Sequence, residues 1–218
     1  MAVAIDSLRP ALQAAAAKLA LDVSGPQTGA LLGYLSLLQR WNAIYNLTSV
    51  RDPAQMLTQH VADCLAVIGP LRRHAGTGAF RLLDVGSGGG LPGLVIAILN
   101  PVIDVTCVDT VGKKAAFVQQ AAGELRLRNL NARHMRVEQM KAEPFAVVTC
   151  RAFASLLEFT RLTRQHLAEN GVWMAMKGKQ PADELGQLPA DIDVFHVEQL
   201  EVPGMDAERC IVWMRPKR

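Results

Sequence analysis

One run of ten residues, Asp84-Val-Gly-Ser-Gly-Gly-Gly-Leu-Pro-Gly93, constrains the possible fold of this chain more than any other segment. It follows apolar residues typical of a strand and precedes a second apolar run. Glycines let the backbone approach a ligand closely, because no Cβ intervenes. Pro92 suits a first helical turn, whose open N–H groups can hold an anionic group. A strand ending in an acid, then a glycine turn and a helix start, predicts a nucleotide-type cofactor site.

Strand-like and helix-like segments alternate around this loop, which predicts a parallel sheet with helices on both faces. Two further strand-like segments flank Pro203-Gly204 with little helix between them, which predicts an antiparallel hairpin on the sheet edge. The expected strands are 81–85, 104–109, 132–136, 145–151, 172–177, 194–202 and 210–214, and the expected helices are 92–99, 113–125 and 156–168, the last ended by Asn170-Gly171.

The first part of the chain has a helical pattern instead. Leu31, Leu35 and Leu38 recur at helical spacing, and Asp52-Pro53 predicts a capped helix that continues to residue 68. Gly76-Thr77-Gly78 is the expected boundary loop. We therefore expect an N-terminal helical extension, residues 1–76, and a Rossmann-like domain, residues 77–218, packed as one unit.

Composition limits the classes of protein and partner. Half of the 218 residues are apolar, enough for a full core, and the net charge of +3 is compatible with an RNA partner but too small for strong indiscriminate binding. The four cysteines have no C-x-x-C spacing, so we expect no zinc site, no disulfide framework and a cytoplasmic location. No apolar stretch approaches membrane-spanning length. We expect a monomer that binds neither a membrane nor a metal.

The glycine run is compatible with two cofactors. Gly88 to Gly93 formally matches G-x-G-x-x-G, so an NAD-dependent oxidoreductase is one hypothesis. Three features favour S-adenosylmethionine instead. Asp84 ends the first strand, where it could meet a cationic amino group, Asp109 ends the second, where it could accept ribose hydroxyls, and the terminal hairpin suits a methyltransferase sheet. Either acid alone could simply cap the following helix.

Several motifs outside the glycine run are more specific. The chain carries Trp41-Asn-Ala-Ile-Tyr-Asn-Leu-Thr-Ser49, His60-Val-Ala-Asp63, Val137-Glu138, Arg151-Ala-Phe-Ala-Ser155 and Lys177-Gly178. With these motifs it resembles the bacterial small-subunit ribosomal RNA guanine-N7 methyltransferases, the glucose-inhibited division protein B family, from about Leu31 to Arg215. The resemblance implies a class I S-adenosylmethionine-dependent methyltransferase fold. It also implies methylation of one guanine in the decoding-region loop of 16S ribosomal RNA, free or in the small subunit. A non-catalytic RNA-binding assembly factor is a further alternative.

Matching motif to motif, the resemblance implies cofactor contacts at Gly86, Leu91, Val137, Glu138 and Arg151. Two departures from the family pattern are Ala146, where relatives usually carry an acid, and Cys150, where serine is common. We read Cys150 as a small buried thiol, because no proline–cysteine motif accompanies it.

From their positions we add Asp84, Gly88 and Asp109 to the expected cofactor contacts. Arg151 and Lys177 are the predicted catalytic residues, because each ends a strand beside the expected methyl position. A salt bridge to Glu138 or another acid would be the structural alternative for Arg151, and a solvated strand-end cation would be that for Lys177. Arg126 and Arg128 are candidate RNA contacts at the rim of the site.

Overall fold

The computed structural model describes residues 5–153 and 155–217 and contains one mixed seven-stranded sheet. The strand order is β3-β2-β1-β4-β5-β7-β6. The first five strands are parallel to one another, and β7 is antiparallel to both β5 and β6. The strands are β1 Arg81–Val85, β2 Asp104–Asp109, β3 Leu130–His134, β4 Phe145–Arg151, β5 Leu167–Lys177, β6 Ile192–Gln199 and β7 Cys210–Pro216. The predicted parallel sheet with an edge hairpin is confirmed.

Helices cover both faces of this sheet, as the long apolar runs of the central strands require. Leu82 and Val105 point into the larger core with the N-terminal helices, whereas Leu83 and Val108 point into a second core that contains Phe159. The helices are α1 Arg9–Lys18, α2 Gly25–Tyr45, α3 Pro53–Met56, α4 Asp63–Leu65, α5 Ile68–Ala75, α6 Gly93–Leu99, α7 Gly112–Glu124, α8 Leu156–Thr163 and α9 Ala182–Gly186.

Several predicted boundaries are wrong, among them those of the strands predicted at 132–136 and 194–202, which are β3 and β6. The predicted helix 156–168 ends as α8 at Thr163, followed by one 3-10 turn, Arg164–His166. Asn170-Gly171 does not stop this helix but lies inside β5, which begins at Leu167. The register between β4 and β5 shifts there, and a Cβ on Gly171 would stand 2.9 Å from the carbonyl oxygen of Phe145. The glycine therefore allows a close backbone approach in an irregular strand.

The predicted third helix begins where expected, because the Asp52 side chain accepts a hydrogen bond from the N–H of Gln55 at 2.9 Å. It is not one continuous α-helix. α3 is followed by a π-helix, Leu57–Ala62, then by α4, and α5 begins separately at Ile68. A π-helical segment rotates the residues that follow it relative to an α-helix, and such segments are frequent at functional sites.

The larger core contains Leu35 and Leu65 of the N-terminal helices together with Ile96 and Phe117 beyond residue 76. The boundary predicted after residue 76 stays a prediction, and the end of α5 at Ala75 agrees with it. Within the described ranges, no helix combines the length and apolarity that crossing a membrane would demand.

Candidate functional site

The glycine loop turns sharply between β1 and α6 and is anchored at both ends. The N–H of Gly86 donates to the carbonyl oxygen of Val108 at 2.8 Å. Gly86, Gly88 and Gly90 have φ of +67°, +57° and +83°, a region that side chains with a Cβ rarely adopt. The loop could be predicted from the sequence because the positions that require positive φ are occupied by glycine.

Asp109 holds this loop from the end of β2. One carboxylate oxygen accepts the N–H of Gly88 at 2.9 Å, and the other accepts the N–H of Val111 at 2.8 Å. The side chain is 6% exposed. Asp109 therefore holds the glycine loop and the turn before α7, but it does not cap α7, whose N-cap residue is Val111 and has no side-chain cap. Any ribose contact would be made with the remaining lone pairs.

Asp84 is fully buried beneath the loop. Its Oδ2 accepts the N–H of Gly93 at 2.8 Å, whereas Oδ1 has no hydrogen-bond partner among the described residues. Burial raises the pKa of this carboxyl to about 7. α6 begins at Gly93, one residue later than predicted. The first N–H of this helix therefore donates to a carboxyl group of the chain itself.

A cavity of about 240 Å³, here called the loop cavity, lies against the glycine loop. Its wall contains four of the predicted site residues, Gly86, Gly88, Leu91 and Arg151. The remaining wall residues were not among the predicted contacts, and five of the nine precede residue 76: Tyr34, Leu38, Leu47, Thr48, His60, Ser87, Gly89, Lys114 and Ala152.

Two of these unpredicted residues are polar and largely buried. The Tyr34 hydroxyl donates to the carbonyl oxygen of Gly89 at 3.0 Å, and burial raises the pKa of this phenol far above its ordinary value, so it remains a donor. His60 Nε2 lies 2.9 Å from the Thr48 hydroxyl. Burial, reinforced by the Arg151 guanidinium, lowers the pKa of His60 to about 4, so the ring is neutral near pH 7.

Val137 and Glu138 form a 3-10 turn after β3, at the same edge of the sheet but outside the wall of the loop cavity. Val137 is buried and its carbonyl oxygen lies 2.8 Å from His166 Nε2, whereas Glu138 is exposed. The structure thus places these two predicted contacts next to the neighbouring strand end, beyond Asp109.

Arg151 ends β4 and lies between the loop cavity and the π-helix. Its Nη1 donates to the carbonyl oxygen of Gln59 and to Oδ2 of Asp63, both at 3.1 Å. The salt-bridge alternative is therefore present, but the acid is Asp63 and not Glu138. Asp63 is 3% exposed in its side chain and also receives Arg209 Nε at 3.1 Å on Oδ1. One buried carboxylate thus fixes two arginines.

The second cavity, here called the arginine cavity, has a volume of about 360 Å³ and adjoins the loop cavity. Both cavities share His60, Arg151 and Ala152. Lys177 lies in its wall, and its ammonium contacts both carboxylate oxygens of Glu184, at 2.9 and 2.7 Å. The predicted catalytic lysine is therefore a paired cation, not a solvated strand-end side chain.

Two other expectations concern the positions of Cys150 and of the arginines before β3. Cys150 is 1% exposed, and burial raises the pKa of its thiol, as expected for a structural residue. Arg126 and Arg128 precede β3, at the amino ends of the parallel strands, whereas the cavities lie at the carboxyl ends. This placement contradicts their assignment to the rim of the site.

Among the residues that the structure describes, one group has potential metal-ligand atoms within 4.8 Å of one another: His74, His196 and Glu198. The group lies near the β6 edge of the sheet, away from both cavities. The Arg73 guanidinium already forms an ion pair with Glu198 there. The expectation that the chain uses no metal stays a prediction.

Comparison with known proteins gives consistent matches. The family model described as rRNA small subunit methyltransferase G matches residues 27–212. A protein of Paracidovorax citrulli named ribosomal RNA small subunit methyltransferase G is 59% identical, with 100% of this chain and 94% of that protein covered. The protein of the same name from Leptothrix cholodnii is 61% identical, with 96% of each covered.

Among solved structures, the ribosomal protein L11 methylase of Lactobacillus delbrueckii subsp. bulgaricus superposes with a TM-score of 0.56 at 12% identity. The superposition covers 71% of this chain and 78% of that one. At this identity the likeness concerns the fold alone, and it confirms the predicted class I methyltransferase fold.

Proposed function

This chain belongs to the rRNA small subunit methyltransferase G family, and from that membership we propose the reaction and the residues that serve it. The chain methylates N7 of one guanine in the decoding-region loop of 16S ribosomal RNA, with S-adenosylmethionine as the methyl donor. The observation that carries this proposal is the loop cavity, which the glycine loop and Arg151 border together.

The residues around the loop cavity fit S-adenosylmethionine. A Cβ on Gly88 would meet no atom within 4 Å, so a ligand can lie directly against the loop backbone. Asp84 lies beneath the loop, outside the wall of this cavity, and its unpartnered Oδ1 is the atom to which we assign the cationic amino group. Asp109 would hold the ribose, and Val137 and Glu138 the rest of the adenosine. When bound, the cofactor supplies an electrophilic methyl group on a sulfonium centre.

Guanine N7 carries an exposed lone pair, so its methylation requires no proton removal. His60 agrees with this, because a ring whose pKa is lowered to about 4 is a weak base, and Lys177 is engaged by Glu184. The remaining requirements are to orient the base, to exclude water and to keep the reacting atoms in line. Arg151 lies where the two cavities adjoin, together with His60 and Ala152, and Lys177 lies in the wall of the arginine cavity beside it.

The substrate is ribosomal RNA, free or within the small ribosomal subunit, and we infer a monomeric, cytoplasmic enzyme that uses no catalytic metal. Mapping of 7-methylguanine in 16S RNA from a deletion strain, with and without the restored gene, tests the reaction. An unchanged set of modified guanines would exclude it. Quenching of tryptophan fluorescence by NADH but not by S-adenosylhomocysteine would instead favour the oxidoreductase hypothesis.

The first test of the cofactor site is Gly88→Val. At φ +57° a branched side chain is strained and would also enter the loop cavity, so we expect calorimetry to detect little or no binding of S-adenosylhomocysteine. Gly76→Val is the matched control, because Gly76 also has positive φ, +83°, and lies outside the cavity. It should lose stability but keep its affinity. Wild-type affinity in folded Gly88→Val would place the cofactor elsewhere.

A second test separates the two roles of Asp109. Loss of charge-assisted hydrogen bonds should weaken S-adenosylhomocysteine binding by about tenfold or more in Asp109→Ala. Because Asp109 also holds Gly88 and Val111, affinity alone is ambiguous. The parent protein should therefore prefer the ribose form of the ligand over its 2′-deoxy analogue, and Asp109→Ala should lose that preference. A preference that survives the substitution would leave Asp109 with the loop-holding role alone.

A further inference from the structure

We propose that the arginine cavity receives the target guanine nucleotide and that Arg209 holds a phosphate of the RNA strand at its mouth, with Asp63 as the positioning residue for both arginines. This inference rests on the proposed function and adds the acceptor side of the reaction. Three observations carry it: the wall residues that neighbouring cavities share, the fixed geometry of Arg209 and the balance of charge.

The cavities adjoin one another in a series from the cofactor side to the surface. The loop cavity and the arginine cavity share Arg151 in their walls, and the arginine cavity shares Gln59 and Arg209 with a groove of about 590 Å³. This outer groove runs between residues 54–59 and the turn 204–209 that precedes β7. A nucleotide base in the arginine cavity would lie next to the cofactor, while its backbone remained in the groove.

Arg209 stands where the inner cavity meets the groove, and its guanidinium is already oriented. Nε donates to Oδ1 of Asp63 at 3.1 Å, and Nη1 donates to the carbonyl oxygen of Glu208 at 2.8 Å. The structure gives Nη2 no partner among the described residues, and the side chain is 28% exposed. A guanidinium that is fixed on one side and open on the other loses less conformational entropy when it binds a phosphate.

The charges around the arginine cavity favour an anionic ligand at its mouth. Lys177 is balanced by Glu184, and His60 is neutral near pH 7. Arg151 and Arg209 then share the Asp63 carboxylate, which leaves an excess of positive charge in the wall of the arginine cavity, whereas Asp206 lies in the wall of the outer groove. Neutral guanine does not neutralise this excess, whereas the phosphodiester next to it does.

The chemistry of guanine N7 also indicates which part of the nucleotide Arg209 binds. A guanidinium that donated to N7 would occupy the lone pair that must attack the methyl group, so Arg209 serves the phosphate and not the reacting atom. Asp63 compensates part of the arginine charge beside a reaction that places positive charge on the base. It acts through Arg151 and Arg209 and does not itself need to contact the RNA.

The experiment compares Arg209→Ala with Arg215→Ala, which breaks an exposed pair with Asp193 on the same hairpin. Initial rates are measured on small ribosomal subunits, and on 16S RNA freed of protein, from a strain that lacks the modification. For Arg209→Ala we expect KM for the RNA to rise about tenfold, as for loss of a charge-assisted contact. The log–log salt slope should fall in magnitude by about 0.7 to 0.9, and S-adenosylhomocysteine affinity should stay unchanged. Arg209→Lys should keep the salt slope.

Asp63→Asn tests the positioning role. In the parent it should raise KM for the RNA and lower kcat, whereas in Arg209→Ala its effect on KM should nearly vanish and its effect on kcat, transmitted through Arg151, should remain. Equal changes in Arg209→Ala and Arg215→Ala, or unchanged KM and slope in Arg209→Ala, would overturn the inference. Absence of any methyl transfer by the parent protein would instead contradict the proposed function.

Discussion

Replacement of Arg151 by alanine is expected to lower single-turnover methyl transfer by about a hundred-fold, as losses of positioning can. Arg151 is the one arginine of the described residues that lines both the loop cavity and the arginine cavity, so under the proposed function it would contact both reactants. The rate of single-turnover methyl transfer by Arg151→Lys should fall by a similar factor. A lysine keeps the charge but not the planar fork, so it cannot donate to Gln59, Asp63 and a ligand in the same way.

The measurement uses small ribosomal subunits with saturating cofactor and includes thermal unfolding. Arg151→Ala leaves buried Asp63 with Arg209 as its remaining cation, so some loss of stability is expected. Adding Asp63→Asn removes the buried charge and should recover stability without recovering activity. The control is Arg164→Ala, which breaks an exposed arginine–aspartate pair away from the site. Full activity in Arg151→Ala, or restored activity in the double variant, would show that the arginine is merely structural.

Asp84→Asn should change how the stability of the protein depends on pH. Burial raises the pKa of this carboxyl from 3.8 to about 7, so the folded state favours the protonated form. As the pH rises from about 4 to about 7, the unfolded chain has already lost this proton, so the free energy of unfolding declines, and above about 7 the contribution is constant. At about 1.36 kcal/mol for each unit of pKa, the decline amounts to about 4 kcal/mol.

Asparagine cannot ionise, and its amide oxygen can still accept the N–H of Gly93. In Asp84→Asn this contribution to the pH dependence of the free energy of unfolding should therefore be absent. The free energy of unfolding of the variant and of the parent is measured with denaturant at about pH 4.5 and at about pH 8, and the difference between the two proteins is compared at the two pH values. Asp193→Asn, at an exposed acid on β6, is the control. If the stabilities of Asp84→Asn and the parent change with pH in parallel, the buried carboxyl is not the source.

The sheet could be predicted from the sequence because its information is local. Apolar runs bounded by glycine, proline and acids define β1, β2 and β4 with the bounds that the structure has. The start of β5 could not be predicted in the same way. There the path of the chain depends on how closely Gly171 approaches the carbonyl of Phe145 in the adjacent strand.

The glycine loop and Arg151 could also be predicted from the sequence, because each lies in a motif at the end of a predicted strand. Their partners could not. His60 and Asp63, three residues apart, suggest a local pair, but His60 lies against Thr48 and Asp63 against arginines 88 and 146 residues away. Tyr34 is 55 residues from the glycine whose carbonyl it binds. Such contacts depend on how the helices pack across the sheet, which no local pattern encodes.

The hydrogen bond from Tyr34 to Gly89 affects whether the glycine loop can be transferred to another protein without α2. The backbone of the glycine loop is held in part by a helix that ends well before the sheet begins. A graft of the sheet and its loop onto another N-terminus would therefore transfer the sequence motif without one of its supports. In this family member the conformation of the glycine loop depends on α2 as well as on the sheet. A chimera of two relatives should therefore take α2 and the loop from the same parent.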